Sequence, residues 1–309
     1  MPLNDPRKHH YAPQFLLRNF AIDSTKKRVT ALTKHGRMAV WSEVSIESIG
    51  YEDDLYVHMS DGIPVSIEAH INRYIENPIS KSETWKKIST GNSESIDRSD
   101  RPILYSLIRH LHARTPHFRA TIDELAKMAS DPGSEIPFAE EELAEFDSIR
   151  NDPNVSKTIL NYMALMRSES NTDLFNSSLL MVLRSPIPLR SSTTPVFTLP
   201  VPPHTAISLP LPGMTPFQLV LTINPTTLVC LIYGRFDGTF INQAIDHETA
   251  RGFNRHFLAH FAKFDHVRHL ITDRSGLVDD MIWAPYSLVK ETQNTIRFQR
   301  RGQGDVPPS

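Results

Sequence analysis

The proline content of one stretch constrains the fold of this chain more than any other feature. Ten of the 23 prolines lie between residues 186 and 225. Because proline lacks a backbone N–H and fixes φ, this density excludes long helices and favours short edge strands and extended turns. Two apolar runs, 217–223 and 227–233, flank a turn that contains Pro225, and they predict a β-hairpin. We therefore predict a β-rich subregion over residues 184–236.

The residues before this stretch carry a helical pattern. The clearest helix follows Asp100, a residue that can cap it, and its apolar positions are Leu104, Leu107, Ile108 and Leu111. Pro116 is predicted to end or kink this helix, because it removes a hydrogen-bond donor. Apolar residues also recur at helical spacing over 154–182. The pattern predicts a helical subregion over residues 66–183.

Short strands are predicted before the helical part, and another helix after the β-rich part. The runs 28–32 and 37–41 flank Gly36 and predict a hairpin. Residues 54–57 predict a third short strand. A late helix is predicted over 241–264, where four phenylalanines fall on one face.

Together these patterns predict an α+β fold with short N-terminal strands, a helical middle, a proline-rich antiparallel β region and a late helix. We expect all of these elements to pack in one domain over residues 1–296. The residues that follow, 297–309, end in a polar segment rich in Gly and Pro, and they are predicted to form a disordered tail.

Charge and cysteine content bear on the partners and on the cellular location of the protein. The net charge of −2 over 309 residues argues against a strongly electrostatic partner such as duplex DNA or an anionic membrane. The one cysteine, Cys230, lies in an apolar run, which predicts a buried strand residue and a cytoplasmic protein. We find no signal peptide and no apolar run long enough to span a membrane, so we expect a soluble protein.

Residues 9–20, with the sequence HHYAPQFLLRNF, form the densest motif. The imidazole of His10 can act as base, acid or metal ligand, and Arg18 offers a planar donor fork suited to phosphate or carboxylate. Alternatively, the apolar members anchor the N-terminus to the core, and His10 and Arg18 satisfy backbone carbonyls or a buried acid. The motif resembles the opening signature of a bacterial family, domain-of-unknown-function family 4238, whose members begin His-Tyr-x-Pro-x-x-x-Leu-Arg-x-Phe and have no assigned activity.

Arg114 begins a second motif that resembles this family, an Arg-Thr-Pro at the end of an apolar helix. His110, Arg114 and His117 share one face of the predicted helix. One interpretation is an anion site built from Arg114 with help from His110 or His117. The other is a solvated basic face.

Two carboxylates in the first helical stretch are further candidates. Glu68 and Glu76 are eight residues apart and therefore lie on roughly the same side of a helix. Glu68 could pair with Arg18 or Arg114. Such a pair is either a structural tie or an acid–base element.

Later segments are also compared with the family. Thr193 and Thr194 stand where family members typically carry the Asp and Asn of a Ser-Asp-Asn-Pro turn, so an activity that needs this Asp would be altered or lost. Asn254 matches an Asn that members often carry. His256 and His260 have a spacing that can bind zinc, but without the Glu of a zinc-protease motif, and helix-surface histidines are the alternative.

These candidates predict two functions. The candidate ligand-binding residues are His10, Arg18, Glu68, Arg114 and Asn254, and the first function is binding of an anionic small ligand such as a nucleotide or phosphorylated compound. The alternative is a metal-assisted hydrolase or nuclease-type effector that uses His10 and Glu68 with Arg114. The Thr at 193 and the lack of a phosphate loop, a dinucleotide motif, a nucleophile elbow and a Cys-x-x-Cys pair favour the first. Metal ligands, a cofactor and an oligomeric state are not predicted.

Overall fold

The computed structural model describes residues 8–53, 57–60, 63–66, 68–115, 172–201 and 217–302. Over these residues the protein has an α+β fold, as predicted. Its strands form a sheet of six strands, a sheet of five strands and two small two-stranded sheets.

The N-terminal part consists of short strands and one short helix. Their bounds are Lys8–His10 (β1), Gln14–Leu17 (α1), Arg28–His35 (β2), Met38–Ser45 (β3), Tyr51–Asp53 (β4), Val57–Ser60 (β5) and Ile63–Ser66 (β6). β2 and β3 form the predicted hairpin. β1 pairs with β4 in antiparallel fashion and places His10 opposite Tyr51. Three residues of the strand predicted over 54–57 lie outside the described residues.

The helical part contains the predicted apolar helix. Its helices are Glu68–Ile71 (α2), Asn77–Ser80 (α3), Glu83–Ser89 (α4) and Arg101–Ala113 (α5). A π-helical turn, Asn72–Glu76, joins α2 to α3. The four predicted apolar positions of α5 are fully buried. α5 ends at Ala113, before Pro116, as predicted.

The next elements correct the boundaries of the helical subregion. They are Thr172–Ser177 (α6), Leu179–Arg184 (β7), Ser191–Ser192 (β8), Val196–Pro200 (β9), Phe217–Asn224 (β10), Thr227–Ile232 (β11) and Phe240–Ala244 (β12). β10 and β11 form the predicted hairpin. The helix predicted over 154–182 is wrong at its end, because residues 179–184 form β7; the part before residue 172 lies outside the described residues. A short apolar run does not separate a buried strand from a helix by periodicity.

The C-terminal elements bring two further corrections. They are His247–Lys263 (α7), His269–Ile271 (β13), Leu277–Trp283 (α8), Tyr286–Glu291 (β14) and Ile296–Arg300 (β15). The late helix predicted over 241–264 begins later, because 240–244 belong to β12 and the Asp246 side chain caps α7 by accepting from Thr249 N at 2.7 Å. The disordered tail predicted from residue 297 is wrong for 297–300, which belong to β15 and pair with β3 or β14.

In the two large sheets the spatial order of the strands differs from their order in the sequence, so segments distant in sequence lie side by side. The five-stranded sheet has the order β12-β7-β11-β10-β9, and β12 runs parallel to β7. The six-stranded sheet has the order β14-β15-β3-β2-β13-β8. Phe257 and Phe261 of α7 pack in one hydrophobic cluster with Phe298 of β15. Cys230 is fully buried on β11, as predicted.

In the part of the chain that the structure describes, none of the helices has the length and apolar character needed to cross a bilayer.

Candidate functional site

The apolar members of the 9–20 motif anchor the N-terminal segment. Pro13 precedes α1, and its carbonyl accepts from the backbone N–H groups of Leu16 and Leu17 at 3.1 and 3.2 Å. Both leucines are fully buried, and Tyr11 and Phe20 are nearly so. This half of the motif therefore has the anchoring role that the sequence left open.

Arg114 lies at the centre of a buried cluster, here called the Arg114 cluster, formed with Glu68, Glu76 and His110. Its guanidinium donates to Glu76 and to the backbone carbonyl of His10. It also lies 3.7 Å from Glu68 Oε2 and 3.3 Å from His110 Nε2. The predicted pairing of Glu68 with Arg114 is therefore present, and Glu76 joins it.

The burial of this cluster decides between the interpretations of the Arg114 face. The Arg114 side chain is 1% exposed, and those of Glu68 and Glu76 are 12% and 13% exposed. A solvated basic face is therefore wrong for His110 and Arg114; His117 lies outside the described residues. Two carboxylates and a carbonyl already surround the guanidinium, which favours a structural tie over an anion site.

The pKa of His110, a member of the Arg114 cluster, is lowered by burial. Its side chain is fully buried, and burial lowers its pKa to about 4. Its Nδ1 is buried without a hydrogen-bond partner among the described residues. His110 Nε2 lies 3.6 Å from Glu76 Oε1, yet burial outweighs this carboxylate, so the imidazole is neutral near pH 7.

This lowered pKa predicts a pH dependence of stability. The unfolded chain takes up a proton near a pKa of about 6.5, above the folded value, so stability is lost as the pH falls from about 6.5 towards 4. We expect His110 to account for a loss of about 2 kcal/mol between pH 7 and pH 5. Urea unfolding at these two pH values should show this loss reduced in His110→Gln. An unchanged pH dependence in that variant would contradict the assignment.

His10 and Arg18 are linked through Gln14. Gln14 Nε2 lies 3.5 Å from His10 Nε2, and the exposed Arg18 donates to Gln14 Oε1 at 3.2 Å. Burial, followed by the charge of Arg114, lowers the pKa of His10. His10 therefore lies beside the Arg114 cluster, whereas Arg18 contacts Gln14 on the surface. Ligand binding by these two residues stays a prediction.

Asn254 contacts a different part of the chain. Its Oδ1 accepts from the backbone N–H of Arg190 at 2.8 Å, and its Nδ2 donates to the carbonyl of Pro188 at 2.9 Å. Arg190 in turn pairs with Asp280 at 2.7 Å. These contacts fix the proline-containing segment before β8. A ligand-binding role for Asn254 stays a prediction that these contacts do not favour.

A cleft of 560 Å³, here called the signature cleft, opens next to the 9–20 motif. Its lining includes Tyr11, Thr33, His35, Tyr51, Arg268 and His269. Tyr51 comes from β4, Thr33 and His35 come from β2, His269 is the first residue of β13, and Arg268 directly precedes it. The pairing of β13 with β2 sets His269 opposite Thr33. Ligand sites in proteins are typically concavities of this size.

Thr193, one of the two threonines that depart from the family pattern, contacts two residues that line this cleft. Its side chain hydrogen-bonds the Tyr11 hydroxyl, and its Oγ1 lies 3.5 Å from His269 Nδ1. Gly50 lines the cleft with a φ of 68°, and a Cβ there would lie 2.8 Å from Ala12 Cβ. Only glycine fits this close approach without strain, so this position of the cleft wall requires glycine.

Lys34 and Arg268, two basic side chains of the cleft, differ in their contacts with the protein. Lys34 Nζ donates to the Phe264 carbonyl at 2.8 Å and lies 4.6 Å from the centre of the Phe261 ring. Burial lowers its pKa to about 8. The guanidinium of Arg268, by contrast, makes no ion pair with any described residue, and the residue is exposed. Arg268 is therefore the cation of this cleft that is open to a ligand.

Burial, helped by the charges of Arg268 and His35, lowers the pKa of His269 to about 4. His269 is therefore uncharged near pH 7 and can donate or accept a hydrogen bond. Sequence reasoning missed Arg268 and His269. The signal that could have found them is the basic cluster His266-Val267-Arg268-His269 before a short apolar run.

No group of three or more His, Cys, Asp or Glu side chains is placed to hold a metal ion within the described ranges. His260 packs against the rings of Phe197 and Phe264, with centroid distances of 5.7 and 4.7 Å. His256 is exposed on α7. These positions give no support to a zinc site on this helix.

Most of the chain matches one known family. A family model described as "Protein of unknown function (DUF4238)" matches residues 8–264, which confirms the resemblance seen in the sequence. The matched span contains Tyr11, Arg114, Thr193 and Asn254 and ends before Arg268. No curated protein and no solved structure matches the chain. The signature cleft therefore combines residues inside the matched span with residues beyond it.

Proposed function

We propose that this chain, which belongs to the DUF4238 family of proteins of unknown function, binds a small phosphate-bearing ligand in the signature cleft. The observation that carries the proposal is the guanidinium of Arg268, which lines the cleft without an ion pair to a described residue. Its planar donor fork matches the geometry of a phosphate group. We therefore propose Arg268, and not Arg114, as the residue that contacts the anionic ligand expected from the sequence.

The acidic residues of the cleft narrow the class of ligand. Glu52 and Asp53 line the same cleft from β4. Carboxylates repel phosphate but accept hydrogen bonds from hydroxyl and amino groups. A nucleoside monophosphate carries a phosphate group and also hydroxyl or amino groups. Its phosphate would contact Arg268, and its sugar or base would contact the carboxylates of β4. We therefore favour a nucleotide over inorganic phosphate.

The contacts of Arg114 support this placement indirectly. The Arg114 guanidinium is almost fully buried and lies against two carboxylates and a carbonyl. A phosphate there would have to displace a carboxylate from a buried ion pair, which costs several kcal/mol. The exposed Arg268 requires no such displacement.

Replacement of Arg268 by glutamine is expected to weaken nucleotide binding selectively. Titration calorimetry would compare the four nucleoside 5′-monophosphates with the matching nucleosides, which lack only the phosphate. For the monophosphate that binds best, Arg268→Gln should raise Kd about 5- to 30-fold, or about 1–2 kcal/mol. The affinity of the nucleoside should stay unchanged, because it has no charge for Arg268 to contact.

Arg297→Gln is the matched control, because Arg297 is an exposed arginine on β15, outside the cleft. It should bind like the wild type. An equal loss of affinity in both variants would indicate a general charge effect and would contradict a site at Arg268. Absence of saturable binding of all four monophosphates would contradict the proposed function itself. The cytoplasmic location predicted from the single cysteine stays a prediction.

A further inference from the structure

Arg101 is a buried arginine that belongs neither to the Arg114 cluster nor to the signature cleft. It is the first residue of α5 and is 3% exposed. Its guanidinium carbon lies 3.9 Å from the centre of the Phe175 ring. Nη2 donates to the Ser178 carbonyl at 3.1 Å, to Ser178 Oγ at 2.8 Å and to the Phe175 carbonyl. These contacts hold the guanidinium in one orientation.

The charge of Arg101 has no carboxylate beside it among the described residues. The nearby Asp100 is engaged elsewhere, since it accepts from Thr84 Oγ1 and Lys87 Nζ at 2.7 Å each. Arg101 Nε is buried and lacks a hydrogen-bond partner in the part of the chain that the structure describes. A buried arginine is ordinarily paired, because burial of an uncompensated charge is costly. This one is ordered and partly unsatisfied.

Arg101 lines a cleft of 490 Å³ together with Arg98, Phe175, Asn176, Asp237 and Gly238. Gly238 has a φ of 64°, and a Cβ there would lie 3.6 Å from Arg101 Nη1 and 3.3 Å from the Asn176 carbonyl. The backbone therefore approaches the guanidinium closely, with no side chain between them. Arg98 and Asp237 are exposed at the cleft.

We propose that the Arg101 cleft is a second anion-binding site, separate from the signature cleft, and that it takes a phosphate group. Arg101 supplies pre-ordered donors, so little side-chain entropy is lost on binding. Arg98 adds a second positive charge at the mouth of the cleft. Asp237 is the opposing charge and lowers the affinity. The proposal does not depend on what the signature cleft binds.

The experiment uses the full chain with Arg268→Gln, so that the signature cleft does not contribute, and titrates it with inorganic phosphate followed by ³¹P NMR. Two further substitutions at exposed residues should act in opposite directions. Arg98→Gln should raise Kd about fivefold, and Asp237→Asn should lower it about threefold, as expected for partly screened charges. Asp237 has a φ of 50°, which asparagine tolerates well, so the fold is preserved.

Arg101→Gln should abolish binding, but its lost contacts to Ser178 also affect folding, so the two exposed variants decide the question. Opposite shifts in Kd, with unchanged thermal unfolding in the absence of phosphate, are the expected result. No saturable phosphate binding, or a Kd that neither substitution changes, would overturn the proposal. Failure here leaves nucleotide binding by the wild-type signature cleft intact, so the two proposals fail separately.

Discussion

Arg114→Met is expected to lower the free energy of unfolding by about 3–5 kcal/mol. Methionine keeps much of the aliphatic volume but removes the cation between Glu68 and Glu76, and both carboxylates are almost fully buried. Each would then be left charged in a poorly solvated environment. Urea unfolding at pH 7 measures this loss.

Arg109→Met is the matched control on the same helix. Arg109 is half-buried, and its Nη1 donates to the Tyr105 hydroxyl at 2.7 Å. Its replacement should cost at most about 1.5 kcal/mol, since no buried charge is left behind. If Arg114→Met were no more destabilising than Arg109→Met, the Arg114 cluster would not be a structural tie. A ligand-binding role for Arg114 would then be the better explanation of its position.

Asn254→Ala is expected to cost about 2–4 kcal/mol in the free energy of unfolding. Asn254 is 7% exposed, and its amide bridges the backbone N–H of Arg190 and the carbonyl of Pro188. Alanine leaves both backbone groups without this partner, at about 1–3 kcal/mol each. The nucleotide affinity of the signature cleft should be unchanged, because Asn254 is not among its lining residues.

Asn294→Ala provides the control for this prediction, because Asn294 is exposed. It should change stability by no more than about 0.5 kcal/mol. Loss of nucleotide affinity in Asn254→Ala with stability retained would contradict the structural assignment. It would return Asn254 to the binding role first expected from its match to the family.

The parts of the fold that local sequence patterns determine were predictable. The hairpin of β2 and β3 and that of β10 and β11 join strands that are adjacent in sequence, so turn residues and apolar runs suffice to find them. α5 has a buried stripe and a proline beyond its end. β7 and β12 were not found, because their parallel pairing joins segments that are distant in sequence. Their side chains show no period of their own.

For the candidate sites too, most contacts that depend on tertiary structure were not predictable from the sequence. The sequence offered Arg18 and Arg114 as partners of Glu68, and the structure pairs Glu68 with Arg114. The signature cleft was not predicted, because Tyr11 and Arg268 come from distant parts of the chain and the pairing of β13 with β2 leaves no local sequence pattern. Thr193 was singled out by its departure from the family pattern, but its contacts with Tyr11 and His269 follow from tertiary structure alone.

The location of the ligand is the central claim, and histidine NMR of the full chain tests it most directly. The protein, with its 14 histidines assigned through His→Gln variants, would be titrated with the nucleoside monophosphate that binds best. A ligand in the signature cleft should shift the Cε1–H resonances of His35 and His269 and leave that of His110 unchanged. A shift of His110 without shifts of His35 and His269 would place the ligand at the Arg114 cluster and contradict the account.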